Sequence, residues 1–154
     1  MDLSDLIGPS AILPALRANS KKQVLQLVAE KAAEVTGLPE RELFDTVLQR
    51  ERLGSTGIGN GIAIPHGKLS GISRITGIFA RLEQPVDFEA LDDQKVDLIF
   101  LLVAPESAGA DHLKALSRIA RLLRDGETVA KIRGTRDASA IHALLSQAPS
   151  SHAA

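Results

Sequence analysis

Cysteine, tryptophan and tyrosine are all missing from this 154-residue chain. Without thiols, disulfides, thiolate metal sites and cysteine nucleophiles are excluded. With no Trp or Tyr and only four Phe, the stacking platforms that hold single-stranded nucleic acids are lacking. There is no excess charge of one sign either. Eighteen Lys and Arg against nineteen Asp and Glu leave a net charge of −1, which gives no electrostatic reason to expect nucleic acid or an anionic membrane. No apolar run approaches the ~20 residues needed to span a bilayer. The opening Met1-Asp2-Leu3-Ser4-Asp5 is acidic and has no apolar core, so the expectation is a cytosolic protein without a secretory signal.

What remains is 44% apolar and 24% charged, the balance of a single globular domain with an aliphatic core. Residues 11–16 read as a strand, placed at an edge by Pro14. Ser20-Lys21-Lys22-Gln23 is a capping-box pattern opening a helix with an apolar stripe of Val24, Leu25, Leu27, Val28, Ala32 and Val35, stopped by Gly37. A second helix follows Pro39, carries Leu43, Phe44, Val47 and Leu48, and ends near Gly54. The period then changes. Ile62–Ile64, Thr76–Leu82 and Val96–Val103 read as strands, the last apolar enough to be central and covered on both faces, and Pro85–Phe88 adds an extended piece. Asp111 is expected to cap a helix whose core face is Leu113, Leu116, Ile119, Leu122 and Leu123, ended by Gly126. Helices near 127–132 and 137–145 complete the domain, and 147–154 read as a flexible tail. Helices, strands, then helices imply an α/β fold: one three-layer domain with a mixed sheet and helices on both faces.

The chemistry concentrates in Gly54-Ser55-Thr56-Gly57-Ile58-Gly59-Asn60-Gly61-Ile62-Ala63-Ile64-Pro65-His66-Gly67-Lys68. Glycines let backbone N–H groups approach a bound group, and clustered N–H groups suit an anion; Gly61 and Gly67 are the nearest candidates for such a cradle. A neutral imidazole is nucleophilic, so His66 in this setting points to a phosphoryl acceptor. A lone loop histidine is ordinarily a surface residue; the glycines on both sides argue otherwise. His112 falls in the first turn of its helix, where the dipole favours a neutral ring that can donate an N–H to a phosphoryl oxygen. The dull alternative is packing at a helix start. Arg50 and Arg52, before the glycine turn, either complement a helix dipole or clamp phosphate, although a run such as Arg50-Glu51-Arg52 is ordinarily a solvated face. Lys68 adds charge or faces solvent, and His142 and His152 read as uninvolved. Zinc would need a third ligand beside His66 and His112 that the sequence does not supply. Neither a P-loop, nor a dinucleotide fingerprint, nor a nucleophile elbow is present.

The stretch from Arg50 to Lys68, with Asp97-Leu98-Ile99-Phe100-Leu101-Leu102-Val103-Ala104-Pro105 and His112-Leu113, resembles the IIA component of the bacterial phosphotransferase system. The likeness is to its mannitol/fructose superfamily and most closely to the nitrogen regulatory branch, over about residues 5–146. It implies a mannitol-type IIA fold in which His66 is phosphorylated through Nε2 (a tele-phosphohistidine), while His112 and Arg50 stabilise the phosphoryl group. It also implies a donor phosphocarrier of the HPr type and no cofactor or metal. Partners in the resembling family include potassium transporters, sensor kinases and an alarmone synthetase/hydrolase. Nothing in these residues reads as a IIB or IIC module, which favours a regulatory role over sugar transport. A sugar-system IIA passing phosphate to a separate IIB, or an anion- or protein-binding module that is never phosphorylated, are the alternatives. Ile62, Leu69 and Ile72 can be read either as an apolar docking rim or as core.

Overall fold

A computed structural model of the chain describes residues 2–147; the tail expected over 147–154 lies outside them except for Gln147. Two short 3-10 turns, Leu3–Asp5 and Pro9–Ala11, lead into β1 (Ile12–Leu16), α1 (Lys21–Thr36) and α2 (Glu40–Arg52). Then come β2 (Gly57–Gly59), β3 (Ile62–Ala63), β4 (His66–Leu69), β5 (Thr76–Val86) and β6 (Val96–Pro105). Helices α3 (Ala110–Leu122), α4 (Gly126–Arg133) and α5 (Ala138–Leu145) follow.

β6 is the spine of the six-stranded sheet, whose path runs β1-β5-β6-β3-β2 with β4 also paired to β6. It lies antiparallel to β5 along one edge and parallel to β3 and then β4 along the other. From Leu98 to Ala104 every β6 residue is buried, so successive side chains are covered on both faces. Phe79 and Phe100 face each other across β5 and β6, with ring centroids 6.1 Å apart in an edge-to-face arrangement. Pro14 sits in β1 at the end of the sheet, where a missing N–H costs least.

The capping expected at Ser20 forms. Its hydroxyl accepts from the Gln23 N–H at 3.2 Å, while the Gln23 side-chain Oε1 takes the Asn19 N–H at 2.7 Å, one residue earlier than in the standard box. Gly37 ends α1 at φ 78°.

Several expectations need correction. β2 and β4 were not foreseen, and His66 opens a strand instead of lying in a loop. Pro85 and Val86 belong to β5 itself. Asp111 lies inside α3, whose cap is Gly109 with no side-chain bond. Gly126 does not end α3; it opens α4 behind Asp125, whose carboxylate accepts the Thr128 N–H. The buried face of α3 is His112, Ala115 and Ile119, whereas Leu113 is 66% exposed. Of the expected face, Ile119 and Leu123 are buried and Leu116 and Leu122 pack against the core; Leu113 stood in the place that His112 takes, because histidine was not counted as a core residue.

Candidate functional site

Pro65 shapes this site. β3 and β4 form one strand beside β6, interrupted at Ile64-Pro65. Proline has no N–H for the ladder. Pairing lapses over these two residues while the register is the same on either side: the Ile64 N–H turns to the Thr56 carbonyl at 3.0 Å, and the Pro65 carbonyl accepts from Leu102 N–H at 2.9 Å. That frees the Ile64 carbonyl, which lies 2.9 Å from His66 Nδ1. A carbonyl only accepts, so the ring proton sits on Nδ1 and the lone pair on Nε2. Arg50 Nε–H points at that lone pair from 3.3 Å, and Arg50 Nη1 donates to the Gly54 carbonyl at 3.0 Å.

β4 comes close to α2 because Gly67 has no side chain: a Cβ there would stand 2.8 Å from Thr46 Cγ2. Across the opening, α3 brings the His112 ring centroid to 5.6 Å from that of His66, tilted by 56°. Arg50, Arg52, Lys68 and the two histidines line a cleft of about 580 Å³, with Thr46, Gln49, Leu53 and Gly67 and no acidic side chain. This is a cationic opening suited to an anion.

Both histidines are held below the ordinary imidazole pKa. Burial is the main cause for His66; the hydrogen bond to the Ile64 carbonyl opposes it, the Arg50 charge adds to it and Glu51 opposes. For His112 burial again leads, followed by the positive charges of His66 and Lys68. His112 is 5% exposed and its Nδ1 is buried without a partner.

The structure therefore gathers His66, His112, Arg50, Arg52, Lys68 and Gly67 at one cleft. Gly61 is elsewhere. At φ 81° it packs against Arg133 and Asp97, and its carbonyl accepts from the Asp97 and Leu98 N–H groups. His142 lies apart too, its Nε2 3.0 Å from the Ile7 carbonyl, and His152 falls outside the described residues. Ile62 and Leu69 are core and Ile72 packs against it; the exposed apolar side chain lining the cleft is Leu53.

Sequence reasoning missed Glu51. It is 4% exposed, paired with Lys21 Nζ at 2.8 Å, and accepts from the Thr56 N–H at 2.9 Å and from the Thr56 hydroxyl. The signal was available: Leu43, Val47 and Glu51 recur at helical spacing on the buried face of α2.

The fold is that of the mannitol-type IIA proteins. IIA mannitol from Escherichia coli matches with a TM-score of 0.76 over 90% of this chain and 97% of that one, at 22% identity, a likeness that concerns the fold alone. The chain belongs to the phosphoenolpyruvate-dependent sugar phosphotransferase system EIIA 2 family, whose sequence model matches residues 5–148. A nitrogen regulatory protein of Bradyrhizobium diazoefficiens is 60% identical over 153 residues, 99% of this chain and 100% of its own length. The crystal structure of nitrogen regulatory protein IIA-Ntr from Neisseria meningitidis matches with a TM-score of 0.88 at 33% identity, covering 93% of this chain and 98% of that one. Among the described residues, no helix is long and apolar enough to cross a membrane.

Proposed function

We propose that the protein is a cytosolic phosphotransferase-system IIA regulator that accepts a phosphoryl group on His66 Nε2 from an HPr-type histidine phosphocarrier. It is an enzyme only in the limited sense of a phosphotransfer component. The observation that carries this reading is the tautomer: Nδ1–H is committed to the Ile64 carbonyl, which leaves Nε2 as the nucleophile at the cationic cleft.

The Nε2 lone pair attacks phosphorus in line, and the bond from phosphorus to the donor ring breaks with its electron pair returning to that ring. The proton stays on Nδ1, hydrogen-bonded to the Ile64 carbonyl, which stabilises the positive charge developing on the His66 ring. At 3.3 Å the Arg50 contact is longer than an ordinary N–H hydrogen bond, so the phosphoryl group displaces it at little cost. Arg50 Nε–H then turns to the phosphoryl oxygens, and His112 donates from the opposite wall. One nitrogen–phosphorus bond replaces another, so the step is reversible. The product adds roughly −1.5 to −2 charge to the cleft, by analogy with phosphorylated hydroxyl residues, and a protein partner can read that change. The similarity to nitrogen regulatory proteins supports a signal about nitrogen status; potassium or stress status belongs to the same proposal.

A second reading is a sugar-system IIA that hands phosphate to a separate IIB; the family's description, which names a sugar phosphotransferase system, keeps it open. Growth of a deletion strain on fructose or mannitol separates the two: lost uptake favours the sugar role. The acceptor itself is tested by incubation with enzyme I, phosphocarrier and phosphoenolpyruvate, followed by intact mass. The wild type is expected to gain one acid-labile, base-stable phosphoryl group and His66→Ala none. Label surviving in His66→Ala sinks the assignment, and no label on the wild type favours a plain binding module.

A further inference from the structure

We propose that Glu51 is a positioning residue for His66: its buried carboxylate, held by Lys21 and Thr56, fixes the turn after α2 whose Gly54 carbonyl anchors Arg50. This rests on the reading of His66 as acceptor. A carboxylate withdrawn from water needs full compensation, and apolar replacement of a buried ion pair is often neutral or stabilising. Glu51 shares the stripe of Leu43 and Val47, where a leucine would pack. Stability alone does not explain an acid there.

Its contacts explain it better. Lys21 Nζ, from the first turn of α1, lies 2.8 Å from Glu51 and also donates to the Phe88 carbonyl at 3.2 Å. Ser55 Oγ donates to the same carbonyl at 2.7 Å, and Thr56 is tied to Glu51 through both N–H and hydroxyl. The Gly54 N–H reaches the Glu51 carbonyl at 3.2 Å. The turn 54–56 is thus pinned at each residue. Its Gly54 carbonyl receives Arg50 Nη1, which leaves Nε directed at His66. A long arginine loses much rotamer freedom when ordered, and this anchor sets it before any phosphoryl group arrives.

Glu51 also acts through charge. The cationic and titratable groups around His66 in the cleft are Arg50 and Arg52 from α2, Lys68 from β4 and His112 from α3; Glu51, buried behind that wall and paired with Lys21 of α1, acts on the ring through its charge. It offsets the cations by favouring a more basic ring.

Two substitutions separate position from charge. Glu51→Gln keeps the shape and removes the charge; Thr56→Val keeps the charge and removes a hydroxyl tie. Both are expected to broaden the Arg50 Nε–H resonance in NMR. Both are also expected to lower kcat for phosphoryl uptake roughly tenfold, with KM for the phosphocarrier unchanged. Only Glu51→Gln is expected to move the His66 titration midpoint, to lower pH. An Arg50 Nε–H signal and uptake rates like the parent's in both variants would overturn the proposal. Should Glu51→Gln fail to fold, Thr56→Val carries the same positioning test. The resonance and the titration need no donor, so they judge Glu51 even if the parent takes up no phosphate, a result that would end the acceptor reading instead.

Discussion

On the α2–β4 wall of the cleft, Arg50, Glu51, Thr56 and His66 all have hydrogen-bond partners, whereas on the α3 wall His112 Nδ1 has none. α3 also begins at Gly109 without a side-chain cap, and Leu113 beside the buried ring is exposed. One wall is ordered in advance; the other carries an unsatisfied group that costs about 1–3 kcal/mol. With no acceptor at Nδ1, the His112 proton is better held on Nε2, which leaves that N–H available to an incoming oxygen. Under the proposed function the difference is a division of labour, with His66 prepared by α2 and the group it would receive steadied by α3.

The strongest way to break that division is Arg50→Ala, which removes the ordered wall's cation. A fall of about 10²–10³-fold in kcat for phosphoryl uptake is expected in stopped-flow or quench assays, comparable to losing one oxyanion donor. Wild-type kinetics would reduce the guanidinium to a helix-end contact. Next in size is a pair of substitutions on α3. Ile119→Ala should cost about 2–5 kcal/mol in urea unfolding, while Leu113→Ala should stay within about 0.5 kcal/mol. Equal costs would mean that the buried face of α3 is misassigned. His112→Ala should slow uptake about tenfold, the worth of one hydrogen bond near 1.4 kcal/mol, without removing the acceptor; an unchanged rate returns the ring to packing.

The smallest expected effect is on pH. Both histidines titrate below the ordinary 6.5 when folded, so the unfolded chain binds more protons between the two values. Their contribution to stability is therefore complete above pH 6.5 and is lost as pH falls through the lowered folded values. Urea midpoints between pH 5 and 8 check this. Substituting His66 and His112 together by Gln should flatten that slope.

Much of this was readable from the residues. The apolar β6 run, the Ser20 cap and the Gly37 stop each rest on local chemistry, and each stands in the fold as read. The motif from Arg50 to Lys68 brought the α2–β4 wall's main side chains to notice, and His112-Leu113 further along did the same for the α3 wall. Two of the failures share a cause: a polar residue on a buried stripe was taken for surface. Glu51 was assigned to a solvated charge run, and His112 was left off the core face of α3, which displaced Leu113 into it. Burial of a charged or polar group depends on partners distant in sequence, here Lys21 and Thr56, and no local period reports them. Gly61 failed differently. Its glycine serves a positive φ and close packing on Arg133 and Asp97, needs that a sequence cannot distinguish from an anion cradle.

The claim on which all this depends is that His66 carries its proton on Nδ1 and reacts through Nε2. The direct measurement is a nitrogen–phosphorus correlation NMR spectrum of the 15N-labelled protein after charging by enzyme I and phosphocarrier. Phosphorus coupled to His66 Nε2, with Nδ1 still protonated toward the Ile64 carbonyl, is the expected result. Phosphorus on Nδ1, or on any residue other than His66, would contradict it.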